Sequence, residues 1–179
     1  ETIADISANS SNLKAIQINH QIIPNIIDEL PILCLAACFA KGTTEITGAE
    51  ELRVKESDRI KSTISGLKQL GVQNIEERPD GMLIHGKTTL KGGFCRSYND
   101  HRIAMTMAIG GILAKGTTTI SGGNIASVSY PEFWNQIKSL KITQLSRFEN
   151  KAPDHAVIVL EINKIRIELE ICLLYTSDA

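Results

Sequence analysis

An internal repeat constrains this chain more than any other feature. The string "AKGTTEITGAEEL" begins at Ala40 and "AKGTTTISGGNIA" begins at Ala114, 74 residues later. That period is too long for a small solenoid repeat and fits a supersecondary unit of several elements. Each copy closes an apolar run with Lys and then Gly. The cation suits the negative end of a helix, and glycine most easily takes the left-handed cap. The Thr-rich stretch that follows is β-branched and alternating, which predicts a strand.

The first copy reads as β-α-β-α-β-β. A strand is expected over 13–18, and a helix over 26–40 with Pro31 tolerated in its first turns. A second strand is expected over 43–47. An amphipathic helix follows over 57–70, where Ile60, Ile64, Leu67 and Leu70 keep helical spacing and Gly71 closes the element. Residues 72–77 and 81–85 then pair through a turn at Pro79-Asp80-Gly81. The second copy predicts a helix over 100–114, a strand over 117–121 and a helix over 131–139. The fold class is therefore α/β (α+β): repeated βαβαββ units, about 13–86 and 87–142.

The helices that end in "AKG" contain "LPILCLAACF" and "IAMTMAIGGIL". Both are apolar on nearly every face, so both should be buried. Only 4% of the residues are aromatic, so the core is built from Ile, Leu, Val and Ala. Ala36, Ala37, Gly110 and Gly111 leave room for neighbouring helices to approach. These features predict parallel buried helices inside a coat of strands and amphipathic helices.

Charge collects where these helices begin. Asp28 and Glu29 open the first buried helix. Asn99, Asp100, His101 and Arg102 open the second. Lys55, Glu56, Ser57, Asp58 and Arg59 open the amphipathic one. Acidic residues in a first turn suit the helix dipole, but arginine there does not. Lys55, Arg59 and Arg102 make sense if an anion is held by cations and free backbone N–H groups together. Asp28 and Asp100 also fit as helix caps, and Arg59 and Arg102 could pair locally with Glu56 and Asp100. From charge and periodicity alone the expectation is an α/β domain with an anion-binding edge.

Other classes find little support. The net charge is −1 and there is no basic run with interleaved aromatics, so no nucleic-acid partner is expected. The longest apolar run, 32–40, is too short to span a bilayer, and no signal peptide is visible. Cys34 and Cys38 share a helical face with no His or Asp at ligand spacing. They read as buried thiols rather than a metal site, and the four cysteines, Cys95 and Cys172 included, suggest no disulfide framework. A reducing, cytoplasmic compartment fits. The chain lacks an initial Met and reaches "LKAIQI" almost at once, as expected of a piece of a longer protein.

The strings themselves are more specific. "ELRVKESDRI" and "YNDHRIAMTMAI" resemble the signature segments of the 5-enolpyruvylshikimate-3-phosphate synthase family. "IIPNIIDELPIL" followed by "FAKGTTEI" resembles the segment upstream of them. The resemblance covers roughly 13–141. It implies a fold of two domains, each of three βαβαββ units, whose buried helices point their N-termini at a cleft. It also implies transfer of the enolpyruvyl group of phosphoenolpyruvate to the 5-hydroxyl of shikimate 3-phosphate, with release of phosphate and no metal or organic cofactor. Carried over residue by residue, Asp28 contacts the shikimate hydroxyls and accepts a proton, and Glu56 delivers one to the methylene of phosphoenolpyruvate. Lys55 lies near shikimate 3-phosphate, and Arg59 and Arg102 hold phosphoenolpyruvate.

The chain departs from the family in length, and the family's first domain is a necessary partner for activity. Residues 1–142 read as a partial C-terminal domain lacking one unit, inactive alone. Val128 stands where some members carry a lysine that contacts phosphoenolpyruvate. Residues 143–179 do not resemble the family. "HAVIVLEI" and "KIRIELEICLL" alternate like a hairpin, and "LLYTSDA" resembles translated cloning material. The alternatives are a nucleotide-sugar enolpyruvyl transferase, whose signatures differ, and a non-catalytic anion-binding domain.

Overall fold

The computed structural model describes residues 11–139 and the strand segments 148–150 and 155–158. The elements in order are β1 (Gln17–Ile18), α1 (Ile23–Ile26), α2 (Leu30–Ala37), β2 (Thr43–Ile46), α3 (Arg59–Gln69), β3 (Ile75–Arg78) and β4 (Gly81–His85). Then follow β5 (Phe94–Arg96), α4 (His101–Leu113), β6 (Thr118–Ser121), α5 (Phe133–Ser139), β7 (Phe148–Asn150) and β8 (His155–Ile158).

The strands form two four-stranded sheets with one topology, β1-β2-β4-β3 and β5-β6-β8-β7. In each, the first two strands are parallel and the remaining pairings antiparallel. The sequence echo is thus a structural one. Gly42 and Gly116, after the two "AK" pairs, both take positive φ, at 108° and 92°. The lysine before each glycine bonds back to the segment entering the unit, Lys41 N–H to Leu13 O and Lys115 N–H to Leu90 O.

Several expected elements are shorter or divided. Of the helix expected over 26–40, Ile26 ends α1, Ile27–Glu29 form a 3-10 turn, and α2 runs only from Leu30 to Ala37. Pro31 has no N–H to donate and its ring crowds the carbonyl four residues earlier, so the regular helix begins only at Leu30. Helix α3 starts at Arg59 rather than 57, because Asp58 is its N-cap and accepts from Lys61 N–H at 3.1 Å. Strand β1 keeps two residues of the expected six, with an isolated bridge at Lys14. Strand β5 and the 3-10 turns at Glu50–Val54 and Gly123–Val128 are additions to the expected pattern.

The segment "HAVIVLEI" contributes β8, and β8 pairs with β6 and with β7. These two strands stand where β4 and β3 stand in the first sheet. The expected hairpin partner "KIRIELEICLL" lies outside the described residues.

Helices α2, α3 and α4 pack together under the sheets, and their contacts fix their direction. At their starts Arg59 reaches both Asp28 and Asp100. Further along, a Cβ on Gly66 would meet Met107, and one on Gly110 would meet Leu70 and Leu35. Start meets start and end meets end, so the three run parallel. Helix α4 is buried on most sides through Ile103, Ala104, Met107, Ala108 and Ile112. The thiols of Cys34, Cys38 and Cys95 are free and buried. Burial pushes Cys38 and Cys95 each up to about 12, and Cys34 higher. Among the described residues no helix is long and apolar enough to cross a membrane.

Candidate active site at three helix starts

Parallel packing brings the starts of α2, α3 and α4 to one end of the bundle, and the charged clusters meet there. Arg59 is its centre. As the first residue of α3 it is directed inward, with 1% of its side chain exposed. Each guanidinium nitrogen has a different carboxylate. Nε donates to Asp100 Oδ2 at 2.9 Å, Nη1 to Asp28 Oδ1 at 2.8 Å, and Nη2 to Glu56 Oε2.

Asp100 does two jobs. It caps α4, its Oδ1 accepting from the N–H groups of Arg102 at 2.9 Å and Ile103 at 3.4 Å. Its Oδ2 takes Arg59 and also the Ser57 hydroxyl at 3.1 Å. It is fully buried. Burial alone would raise its pKa, but the bonds and charge of Arg59, with Ser57 and the Ile103 N–H, hold it below the ordinary carboxylate value. The same balance acts on Arg59. Burial would lower it, yet its bonds to Asp100 and Asp28 and the charge of Glu56 raise it.

Arg102 lies beside this group. Its Nη2 is 3.2 Å from Asp28 Oδ2, and its Nη1 donates to Glu29 Oε1 at 3.0 Å and to the Asp28 carbonyl at 3.2 Å. Asp28 is therefore shared between the two arginines. It is not a helix cap, since α2 has no side-chain cap.

Four of the five residues expected at the site come together: Asp28, Glu56, Arg59 and Arg102. Lys55 does not join them. It bonds Glu51 Oε1 at 2.6 Å, one helical turn back along its own segment. Sequence reasoning weighed Asp100 only as a cap or a local partner of Arg102, and missed it as the anchor of Arg59. Its signal was an acid directly before an apolar helix, which does not reveal the side chain donated from another helix. No group of three or more His, Cys, Asp or Glu among the described residues is placed to hold a metal.

The partners of Arg59 differ in how firmly they are held. Asp100 is enclosed, whereas Asp28 and Glu56 are about half exposed, at 45% and 46%. An incoming anion can exchange for the two exposed carboxylates while Asp100 keeps the guanidinium in place.

Comparison with known proteins identifies the family. The family model described as EPSP synthase (3-phosphoshikimate 1-carboxyvinyltransferase) matches residues 1–137. The 3-phosphoshikimate 1-carboxyvinyltransferase of Synechococcus elongatus is 53% identical over 140 residues, which is 78% of this chain and 31% of that protein. The enzyme of the same name from a Sulfurihydrogenibium species is 49% identical over 78% of this chain and 32% of its own. An EPSP synthase structure from Acinetobacter baumannii superposes with a TM-score of 0.67 at 40% identity, covering 71% of this chain and 30% of that one. The chain thus spans about a third of the length of the relatives it matches. Because that family model covers residues 1–137, well over half of it, the chain belongs to the EPSP synthase (3-phosphoshikimate 1-carboxyvinyltransferase) family.

Proposed function

We propose that this chain supplies one wall of an enolpyruvyl-transfer site acting on phosphoenolpyruvate and shikimate 3-phosphate. The observation that carries the reading is the buried Arg59 anchored by Asp100, with two exchangeable carboxylates on its other nitrogens.

Arg59 and Arg102 would take the carboxylate and phosphate of phosphoenolpyruvate in fixed geometry, which a guanidinium fork does better than an ammonium. Glu56, freed from Arg59, would deliver a proton to the methylene carbon. The 5-hydroxyl oxygen of shikimate 3-phosphate would bond to the central carbon as its proton passes to Asp28. Glu56, now a carboxylate, would take back one methyl proton as phosphate departs with the proton held by Asp28, and the double bond would be restored. Lys55 would leave Glu51 to meet the sugar phosphate. The residues' own acid–base chemistry carries each step, so no metal or organic cofactor enters the reading. The remainder of the protein would supply the opposite wall, and this chain alone would be inactive because both walls must hold the reactants. Three buried free thiols fit a reducing, cytoplasmic setting.

The test is reconstitution in trans. The chain is co-expressed with the remaining two-thirds of a relative, and phosphate release from both substrates is followed. Turnover is expected from the pair and not from the chain alone. Glu56→Gln or Asp28→Asn should each lower it by about 10²–10⁴. An inactive pair that binds no phosphoenolpyruvate would overturn the reading.

A further inference from the structure

The acid and the lysine of the candidate site stand on the segment that crosses from β2 to α3, and that segment is held from one side by the β3–β4 turn. At its start the Gly48 N–H donates to Asp80 Oδ2 at 2.8 Å, and the Ala49 N–H to the Asp80 carbonyl at 2.7 Å. Farther along, Arg53 reaches back across the same turn. Its Nε donates to the Pro79 carbonyl at 2.7 Å, and its Nη2 to the Arg78 carbonyl at 2.7 Å and to Glu77 Oε1 at 3.0 Å. Its Nη1 donates to Asp58 Oδ2 at 2.8 Å, while the other oxygen of Asp58 caps α3.

One side chain therefore joins the hairpin turn to the start of α3 and spans Val54, Lys55, Glu56 and Ser57. We propose that Arg53 is a positioning residue that fixes the segment carrying Lys55 and Glu56 beside the site, a role that rests on the enolpyruvyl-transfer reading above. The planar fork matters, because its donors face two backbone carbonyls on one side and a carboxylate on the other. A lysine presents one ammonium and cannot span both.

The arginines of the site are held differently. Arg59 is anchored from α4 through Asp100, and Arg102 stands on α4 itself. Loosening Arg53 should therefore disturb Lys55 and Glu56 and leave Arg59 and Arg102 in place. A side chain that only stabilised the fold would weaken all four alike.

The full chain carrying Arg53→Gln or Arg53→Lys tests this in two ways. NMR order parameters at residues 54–58 should fall from about 0.85 towards about 0.6 in Arg53→Gln, with α4 unchanged and Arg53→Lys intermediate. In the reconstituted pair, kcat should fall about tenfold and KM for shikimate 3-phosphate should rise, with KM for phosphoenolpyruvate staying within about twofold. Unchanged order parameters at 54–58 overturn the proposal, as does a KM for phosphoenolpyruvate that rises in step with the other. A parent pair without turnover counts against the functional reading instead, and the order-parameter comparison then decides the role of Arg53 by itself.

Discussion

Asp100 and Arg59 meet with 0% and 1% of their side chains exposed. Burying two charges is costly unless close geometry and further hydrogen bonds offset the lost hydration. Here the offset comes from two backbone N–H groups and Ser57 on Asp100, and from two more carboxylates on Arg59. Removing the charge of Asp100 should therefore be expensive, about 3 kcal/mol at neutral pH. The cost should depend on pH. The folded-state pKa of Asp100 lies below its ordinary 3.8. Its contribution is fully present above that ordinary value and is lost as pH falls through the lower, folded-state value. Asp100→Asn should thus be clearly less stable than the parent at pH 7, and the gap should close as pH drops below about 4. Paired thermal melts from pH 7 to 2 measure that gap. A gap that stays constant would show that the ionised pair contributes no net stability.

Two glycines make opposite demands at the level of elements. A Cβ on Gly81, at the start of β4, would lie 1.9 Å from the Ile46 carbonyl of β2. That oxygen is backbone and cannot move without opening the β2–β4 ladder. On Gly66, inside α3, the nearest atom at 2.4 Å is the Met107 sulfur, the flexible end of a side chain. Alanine there also gains about 1 kcal/mol of helix propensity. Gly81→Ala should then cost about 3 kcal/mol in urea denaturation, while Gly66→Ala should fall within about 1 kcal/mol of the parent. The same contrast shows what the sequence could reveal. Helix α3 was legible because Ile60, Ile64, Leu67 and Leu70 repeat at helical spacing, and all four are buried. The β3–β4 hairpin was legible from its Pro-Asp-Gly turn. Strand β5 was not, because three residues between a Gly pair and left-handed Tyr98 and Asn99 carry no alternation to read. The site was legible in part. Arginine at a helix start is out of place, and that misplacement pointed to Arg59 and Arg102. The pairs Glu51–Lys55 and Glu56–Arg59 are local, four and three residues apart, but that Asp28, Glu29 and Asp100 match the two arginines depends on how the helices pack, which no local pattern encodes.

The two sheets leave edges of different character. Strand β3 ends the first sheet with Glu76, Glu77 and Arg78, all exposed, and such charges discourage pairing with another chain. At the opposite edges stand β1 and β5. Among the described residues each has a single strand neighbour, β2 for β1 and β6 for β5. Beside β1 lies Ile16 at 57% exposure, and β5 begins with Phe94 at 51%. Unprotected edges that carry large apolar residues favour association. The chain alone should therefore self-associate as its concentration rises. Ile16→Lys with Phe94→Lys should reduce that association by placing charge where an incoming strand would pack. Neither side chain lies in the buried core, so the melting temperature should change little. Sedimentation velocity over a hundredfold range of concentration, alongside thermal melts, separates the two effects. If the double variant associates as strongly as the parent, the contact lies elsewhere, and Val54, 80% exposed next to Lys55, is the next residue to change. If association falls while the melt holds, the two edges are the faces through which copies of this chain associate.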